Sequence, residues 1–288
     1  MKDAARRRPG FCLSLLGMLL LNGLVSVAFA EQPKELRIYV IPTEKPEVVL
    51  KNHEPLVRYL EKKLGVKVKL TVPPTYPEVT EAVVKGAADL SYLGGLTYIE
   101  AKQQAPTIVP IVTSAVVHTT VMIARPESGI KSMRDLLGKT FAFGSKSSTS
   151  GHLIPRGRLL VSEMRINPET DFSKFIFAGG HDKVAMAVVN GEVNAGALYK
   201  PVYEKLVKEG KLAKGQVEVF WESPPFPDFP WVASGGLDPR FRDAIQAAFL
   251  ALRDPQVLEP LKAPRYREMK DEEFALIRAY AKGFGFLK

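Results

Sequence analysis

The sequence predicts an α/β protein of two lobes with a cleft between them, and three observations support this fold class. Strand-like apolar runs alternate with amphipathic helical stretches, the pattern of parallel sheets with helices on their faces. The β-forming stretch Thr107–Pro126 is too long for one strand of a compact sheet and predicts a bent or broken strand pair that leaves the first lobe. The segment Ser223–Pro230 has four prolines in eight residues, which predicts a stiff connector rather than a helix or central strand.

The first lobe is predicted from the order strand, helix, strand, helix, strand. Leu56, Leu60 and Leu64 recur at helical spacing, and Gly65 is a typical residue to end that helix. Alternating residues in Val66–Val72 predict a strand. The five segments in chain order are LRIYVIP, HEPLVRYLEKKLG, VKVKLTV, YPEVTEAVVKG and ADLSYLG.

A second alternating set of about a hundred residues predicts the second lobe. Its helices and strands are SMRDLLG, KTFAFG, SGHLIPRGRLLVSEM, FSKFIFAG, HDKVAMAVVNG, VNAGALYK, VYEKLVKEG and VEVFWES. After the proline-rich connector, WVASGG predicts a strand and three helical stretches follow. We therefore expect residues 31–119 and 228–288 to form lobe I and residues 120–227 to form lobe II.

The first thirty residues have the organisation of a secretory signal peptide. A basic head that includes Arg6, Arg7 and Arg8 precedes an apolar stretch that ends in the small residues AFA at Ala30. We expect cleavage after Ala30 and export of the mature protein. The alternative is an uncleaved membrane anchor, because the apolar run approaches the length of a membrane span.

Charge and cysteine content limit the classes of function. The only cysteine, Cys12, lies in the predicted signal peptide, so the mature chain has neither disulfides nor a thiol for catalysis or metal binding. The formal charge of +9 falls to +6 without residues 1–30, which suits an anionic ligand but also solubility alone. The basic residues are scattered and no nucleic-acid motif is present, so we expect neither a nucleic-acid partner nor a metal or other cofactor.

The stretch FAFGSKSSTSGHLIPRGRLL, residues 141–160, contains the most informative turn. Four hydroxyl residues and a glycine stand where a strand passes into a helix: Ser147, Ser148, Thr149, Ser150 and Gly151. Such residues cap helices, and they also bind anions together with the free N–H groups of a helix N-terminus. A second strand-to-helix turn, AGGHDKV, carries a histidine, and the carboxyl ends of parallel strands are where ligands bind.

Two of these motifs together resemble a known family. SSTSGHLIP and, about thirty residues later, AGGHDKVAMAVVNGEV are similar to the phosphate/phosphite/phosphonate-binding family of periplasmic ABC transporter substrate-binding proteins. EPLVRYLEKKLGVKV, DLSYLGGLTY and ESPPFPDFPWV extend the resemblance over residues 36–236. It implies the bilobal type II periplasmic-binding-protein fold, a periplasmic location, a small oxyanion ligand and an inner-membrane ABC permease as partner. We expect a monomeric receptor rather than an enzyme.

The resemblance also implies site residues. The family holds the phosphorus oxyanion against the Ser-Thr-Ser turn, which corresponds here to Ser148, Thr149 and Ser150, and the family histidine at a helix start corresponds to His181. Alternatively, the turn is a plain helix cap and the histidine bonds only to protein. A bound anion would favour the charged form of the His181 imidazole.

The remaining candidate site residues are three tyrosines and a histidine that replaces a tyrosine of a related receptor. Tyr76 matches a family tyrosine that reaches the ligand, although it also fits a half-buried loop aromatic. His118 stands where a related receptor has a ligand-contacting tyrosine, and a structural role suits it equally. Tyr92 and Tyr199 lie at predicted strand ends that face the cleft.

Departures from the family pattern bear on the ligand. Receptors for 2-aminoethylphosphonate hold its ammonium group with carboxylates, and the corresponding positions here are Pro201 and Phe229. A buried ammonium without a carboxylate is costly. We therefore expect phosphite, methylphosphonate or a similar small oxyanion, unless Asp228 or Glu204 turns inward.

Two rival functions follow from the same residues. Ser148 or Ser150 with His181 suggests nucleophilic catalysis, but the chain has no Gly-x-Ser-x-Gly motif, and Asp182 is badly placed to orient its neighbour. The second rival keeps the fold: some relatives sense ligands for membrane histidine kinases, and nothing in the sequence separates sensing from transport.

Overall fold

A computed structural model describes residues 33–287 except Lys214 and Asp228. The predicted signal peptide, its cleavage site after Ala30 and the candidate Asp228 lie outside the described residues. Two β-sheets organise this part of the chain, one of six strands and one of five, and a two-stranded ladder lies between them in sequence. No helix within the described ranges is long and apolar enough to span a membrane.

The first sheet has the strand order β13-β4-β12-β3-β1-β2. β1 pairs in parallel with β2 and β3, whereas β12 joins β3 to β4 by antiparallel pairing and β13 adds at the edge. The strands are β1 (Glu35–Val40), β2 (Lys67–Thr71), β3 (Leu90–Tyr92), β4 (Val109–Ser114), β12 (Pro230–Ala233) and β13 (Tyr266–Glu268).

Helices cover both faces of this sheet. The long helix α1 buries Leu56, Leu60 and Leu64 against it, at the spacing that the sequence shows, and ends at Gly65 with a φ of +70°. The helices that precede or follow these strands are α1 (Pro46–Leu64), α2 (Tyr76–Val84), α3 (Gly95–Gln104), α8 (Pro239–Ala251), α9 (Pro255–Leu258) and α10 (Ala275–Gly283).

The second sheet has the order β10-β6-β9-β7-β8. β7 pairs in parallel with β8 and β9, whereas β6 pairs antiparallel with both β9 and β10. Its strands are β6 (Thr120–Ala124), β7 (Thr140–Phe143), β8 (Lys174–Phe177), β9 (Ala195–Tyr199) and β10 (Glu218–Glu222). Its helices are α4 (Ile154–Leu160), α5 (Pro168–Asp171), α6 (His181–Val189) and α7 (Lys200–Lys208). The predicted α/β class with two sheet-containing lobes is confirmed, whereas the lobe boundaries remain a prediction.

Two chain crossings join the sheets. The stretch Thr107–Pro126 is broken into β4, the two-residue strand β5 (Val117–His118) and β6, as its length predicts. The proline-rich connector is not wholly irregular, because Phe226–Pro227 forms a short strand, β11, that pairs with β5. Pro230 opens β12, where a proline does not interrupt the ladder because it stands at the first residue of the strand.

The helix predicted for SGHLIPRGRLLVSEM differs from expectation. The turn Thr149–Leu153 has the wide π-type hydrogen bonding, and the regular helix α4 covers only Ile154–Leu160. The Gly144 N–H donates to the Gly151 carbonyl over 2.8 Å, and a Cβ on Gly151 would lie 3.0 Å from the Gly144 Cα. This close approach of turn and strand holds the first turn open. The predicted helix SMRDLLG is likewise only one 3₁₀ turn, Met133–Leu136.

Substituting Gly196 with alanine is expected to destabilise the protein, because a Cβ there would lie 2.7 Å from Val184 Cγ1 on α6 and 3.1 Å from the Ala142 carbonyl oxygen. Overpacking of this kind costs about 1–3 kcal/mol. Thermal unfolding of Gly196→Ala checks this, with Gly236→Ala as control, since nothing lies within 4 Å of a Cβ there. Equal melting temperatures for the two variants would contradict it.

Candidate ligand-binding site

Three helical N-termini from different parts of the chain meet around the hydroxyl turn, which we define as residues 147–150. The Leu96 N–H in the first turn of α3 donates to Thr149 Oγ1 over 2.8 Å, and Tyr76, the first residue of α2, lies beside Ser148. His181, the first residue of α6, has its Nε2 3.5 Å from Ser150 Oγ. Each N-terminus carries a partial positive charge, so together they favour an anion at this place.

The hydroxyl turn is buried and its acceptor capacity is largely used by protein groups. Ser148 Oγ accepts from the Gly151 N–H over 2.9 Å, and Thr149 Oγ1 accepts from Leu96. A hydroxyl that accepts a hydrogen bond still has its own proton to donate. Ser148, Thr149 and Ser150 are each at most 2% exposed. The turn therefore presents hydroxyl donors in a space that bulk water does not reach.

The tautomer of His181 is set by the backbone. The Tyr199 N–H donates to His181 Nδ1 over 3.2 Å, so Nδ1 is the acceptor and the ring proton stands on Nε2. The Nε2–H then faces Ser150 Oγ as a donor. The backbone N–H of His181 donates to the Thr43 carbonyl, which fixes the start of α6 against the first lobe. His181 thus serves the site as an oriented N–H donor.

Burial controls the charge state of His181 in the protein without a bound anion. Burial lowers the pKa of His181 to about 3, so the imidazole of the unliganded protein is neutral at physiological pH. A neutral imidazole still donates one hydrogen bond from Nε2. The site therefore offers dipoles and hydroxyl groups, not a full positive charge, on this side of the ligand.

Tyr76 is buried rather than half-exposed at a loop. Its side chain is 2% exposed, and burial raises the pKa of its hydroxyl, which keeps it protonated and able to donate. The N-cap Thr75 accepts from the Glu78 N–H and starts α2 just before it. Tyr76, Ser148, Thr149, Ser150 and His181 therefore form one contiguous group, as predicted.

The other three candidates line a neighbouring cavity of about 80 Å³. A hydrogen bond joins the Tyr199 hydroxyl to His118 Nδ1, so His118 faces the cavity from the crossing strand β5 while bonded to protein. The backbone N–H of Tyr199 also donates to His181, so a residue of the cavity wall is hydrogen-bonded to the neighbour of the hydroxyl turn. Its wall includes Tyr92, His118, Tyr199, Pro201, Phe229 and Trp231.

The sequence analysis expects no carboxylate in the part of the wall formed by Pro201 and Phe229, the positions that hold an ammonium group in receptors for 2-aminoethylphosphonate. Pro201 and Phe229 do line the cavity. Glu204 does not line it: its side chain is largely exposed and lies 4.0 Å from Lys200. The cavity is small, at about 80 Å³, and its wall combines aromatic rings with a few polar groups.

Sequence analysis missed a charged group at the rim of the cavity. Lys205 Nζ contacts both carboxylate oxygens of Glu44, at 2.7 and 3.0 Å, and Lys262 donates to the Pro201 carbonyl. Burial lowers the pKa of Lys262. Glu44 and Lys262 belong to loops around the first sheet, whereas Pro201 and Lys205 belong to α7. The sequence gives no signal for such a pairing, because a charged residue that forms an ion pair in the fold cannot be distinguished in the sequence from one that is solvated.

Hydrogen bonds join α3 and the loop before α1 to the hydroxyl turn and to the start of α6. Thr97 Oγ1 donates to the Ser147 carbonyl over 2.9 Å, in addition to the bonds from Leu96 and His181 already described. The Lys45 N–H also donates to Asp182 at the start of α6. The hydroxyl turn is thus held from both sides, and opening the cleft requires these bonds to break.

His152, which follows the hydroxyl turn directly, is not part of the site. Its Nδ1 donates to the Lys146 carbonyl over 2.7 Å, and its ring packs among Phe143, Phe177 and Phe286. Burial lowers its pKa to about 4. Its role is therefore to pack the turn against the second sheet.

Comparison with known proteins identifies the family. Residues 38–274 match the model for the ABC transporter, phosphonate, periplasmic substrate-binding protein family. The chain belongs to this family. It is accordingly a periplasmic solute-binding receptor that works with an ABC importer, and the resemblance seen in the two turn motifs is confirmed.

Similar proteins cover nearly the whole chain. It is 30% identical over 282 residues to the phosphonates-binding periplasmic protein of Escherichia coli K12, covering 93% of this chain and 82% of that one. It is 28% identical over 277 residues to the probable ABC transporter phosphite binding protein PhnD1 of Prochlorococcus marinus MIT 9301, covering 90% and 93%.

The fold agrees with a solved structure of the same kind. PhnD1 from Prochlorococcus marinus in complex with methylphosphonate superposes with a TM-score of 0.83 at 26% identity, covering 88% of this chain and 100% of that one. The predicted type II periplasmic-binding-protein fold is thereby confirmed.

Replacing His152 with phenylalanine is expected to flatten the dependence of stability on pH. The unfolded histidine titrates near 6.5 and the folded one near 4, so between these values the unfolded state binds more protons and stability falls as pH falls. From pH 7.5 to 5.0 this group accounts for a loss of about 2 kcal/mol, which His152→Phe lacks. Urea unfolding of both proteins at the two pH values checks this; parallel losses would contradict it.

Proposed function

We propose that this receptor binds a small phosphorus oxyanion at the hydroxyl turn, with Ser148, Thr149, Ser150, His181 and Tyr76 as donors. One observation carries the proposal: Ser150 Oγ and His181 Nε2, from two separate helical N-termini, lie 3.5 Å apart in a buried place. A tetrahedral oxyanion beside them receives several charge-assisted hydrogen bonds, each worth about 1.5–3 kcal/mol. Their sum supports binding of a dianion without a basic side chain in contact.

The proposed ligands are phosphite and methylphosphonate. The small cavity beside the turn, walled by Tyr92, His118, Tyr199 and Phe229, accommodates hydrogen or a methyl group as the fourth substituent on phosphorus. The relatives support this choice, because one is described as phosphite binding and its structure contains methylphosphonate. In this proposal the four aromatic and imidazole rings select against larger substituents.

The ligand acts by stabilising the closed form. Lobe I (residues 31–119 and 228–288) and lobe II (residues 120–227) rotate about the crossings at β5 and β11, and the bound anion bridges them. The mature monomer, released by cleavage after Ala30, then presents the closed form to the permease in the inner membrane. Uptake of the ligand by cells that contain the receptor and its importer distinguishes transport from signalling to a histidine kinase.

A thermal-shift screen tests the ligand class. We expect phosphite and methylphosphonate to raise the melting temperature more than phosphate, sulfate or 2-aminoethylphosphonate do. A ligand at one hundred times its Kd stabilises the folded state by about 2.7 kcal/mol. A larger shift with 2-aminoethylphosphonate would contradict the proposed ligand and would indicate an acidic group in the cavity. No shift with any phosphorus oxyanion would contradict the function.

Two substitutions test the site. Thr149→Ala and His181→Ala each remove one donor to the anion, and calorimetry is expected to show affinity weaker by about 10- to 150-fold, the equivalent of 1.5–3 kcal/mol. Ser162→Ala is the matched control, since Ser162 is also buried in the second lobe but its hydroxyl donates to the Leu159 carbonyl. Unchanged affinity in both site variants would remove the assignment.

A further inference from the structure

Thr120 is a buried residue that is hydrogen-bonded to the backbone of the hydroxyl turn. It is the first residue of β6, where the chain leaves the crossing strand β5 and enters the second sheet. Its side chain is fully buried, and its Oγ1 donates to the Ser150 carbonyl over 2.9 Å. Neither the motif analysis nor the resemblance assigns a role to this residue.

The Ser150–Gly151 peptide is fixed at both ends by two side chains. Thr120 binds its carbonyl oxygen, and Ser148 Oγ accepts from its N–H over 2.9 Å. Because a peptide unit is planar, fixing both groups fixes the orientation of the whole unit. It also commits Ser148 Oγ as the acceptor of the Gly151 N–H. The direction of the donors on either side of this peptide depends on the two bonds.

Thr120 is itself anchored to the second chain crossing. Its N–H donates to Ser223 Oγ over 2.9 Å, and the Ser223 N–H donates to the Thr120 carbonyl over 2.9 Å. Ser223 follows β10 directly and donates its own hydroxyl to the Pro224 carbonyl. Both crossings between the lobes are therefore pinned together at Thr120, and the same residue reaches the hydroxyl turn.

We propose that Thr120 is a positioning residue for the oxyanion site, holding the Ser150–Gly151 peptide in its binding orientation and tying it to Ser223 at the hinge. This inference rests on the proposed function. Thr120 makes no contact with the ligand in this scheme; it acts through Ser150 and Ser148. Loss of its hydroxyl leaves the buried Ser150 carbonyl without its donor, and the peptide is then free to rotate toward another partner.

The test compares Thr120→Val, which keeps the shape and removes the hydroxyl, with Thr120→Ser, which keeps the hydroxyl. Calorimetry with phosphite and with methylphosphonate is expected to show a Kd about tenfold higher for Thr120→Val, equal for the two ligands because they share the oxyanion. Thr120→Ser is expected to restore the affinity to within about threefold of the native value. A purely structural role predicts no such separation of the two variants.

Thr140→Val is the matched control. Thr140 opens β7 at the end away from the hydroxyl turn, and its Oγ1 donates to Asn194 Oδ1 over 2.9 Å. It is expected to lower the melting temperature and to leave the Kd unchanged. If Thr140→Val weakens binding as much as Thr120→Val does, the effect is general destabilisation and the inference is overturned.

The other possible outcomes also support or overturn the inference. If the native protein binds the anions and folded Thr120→Val binds them with the same Kd, the positioning role is overturned and the proposed function is left intact. If Thr120→Val does not fold, Ser223→Ala decides: it removes the acceptor of the Thr120 N–H, and a raised Kd supports the inference whereas an unchanged Kd overturns it. Failure of the native protein to bind either anion overturns the proposed function and this inference together.

Discussion

The structure depends on the meeting of several helical N-termini at one buried turn. Their first-turn N–H groups have no acceptor within their own helices, and their partial positive charges would repel one another in a dry interior unless other acceptors offset them. The protein supplies some acceptors itself, such as Thr149 Oγ1 for the N–H of Leu96. The remaining donors, among them Ser150 and His181, suit an anion. In the proposed function, a bound anion accepts hydrogen bonds from the donors that the protein does not satisfy itself.

This arrangement explains why the site manages without a lysine or arginine at the turn. A buried cation would carry a large desolvation cost in the unliganded state, and burial already drives the pKa of His181 down to about 3. Neutral donors avoid this cost and stay ready in the empty cleft. The charged groups Lys205, Glu44 and Lys262 stand instead at the rim, where they are paired across the cleft and partly solvated.

Much of this was predictable from local sequence. The alternation of strands and helices, the broken stretch Thr107–Pro126 and the hydroxyl turn all have short-range signals. The family motifs also selected five residues that the structure brings into one group. The π-type turn was not predictable, because it packs against Gly144, a contact that only the folded topology creates. The rim ion pair and the Thr120 hydrogen bond were also missed. They join residues that only the folded topology brings together, 161 positions apart for Glu44 and Lys205.

Residue 199 has two roles: its backbone N–H sets the His181 tautomer, and its side chain lines the cavity. Since the donor is the peptide nitrogen of residue 199, every amino acid except proline preserves it. The tyrosine ring at this position is consequently available to variation during evolution. A substitution at position 199 therefore changes the wall of the cavity while the hydrogen bond that orients His181 is kept.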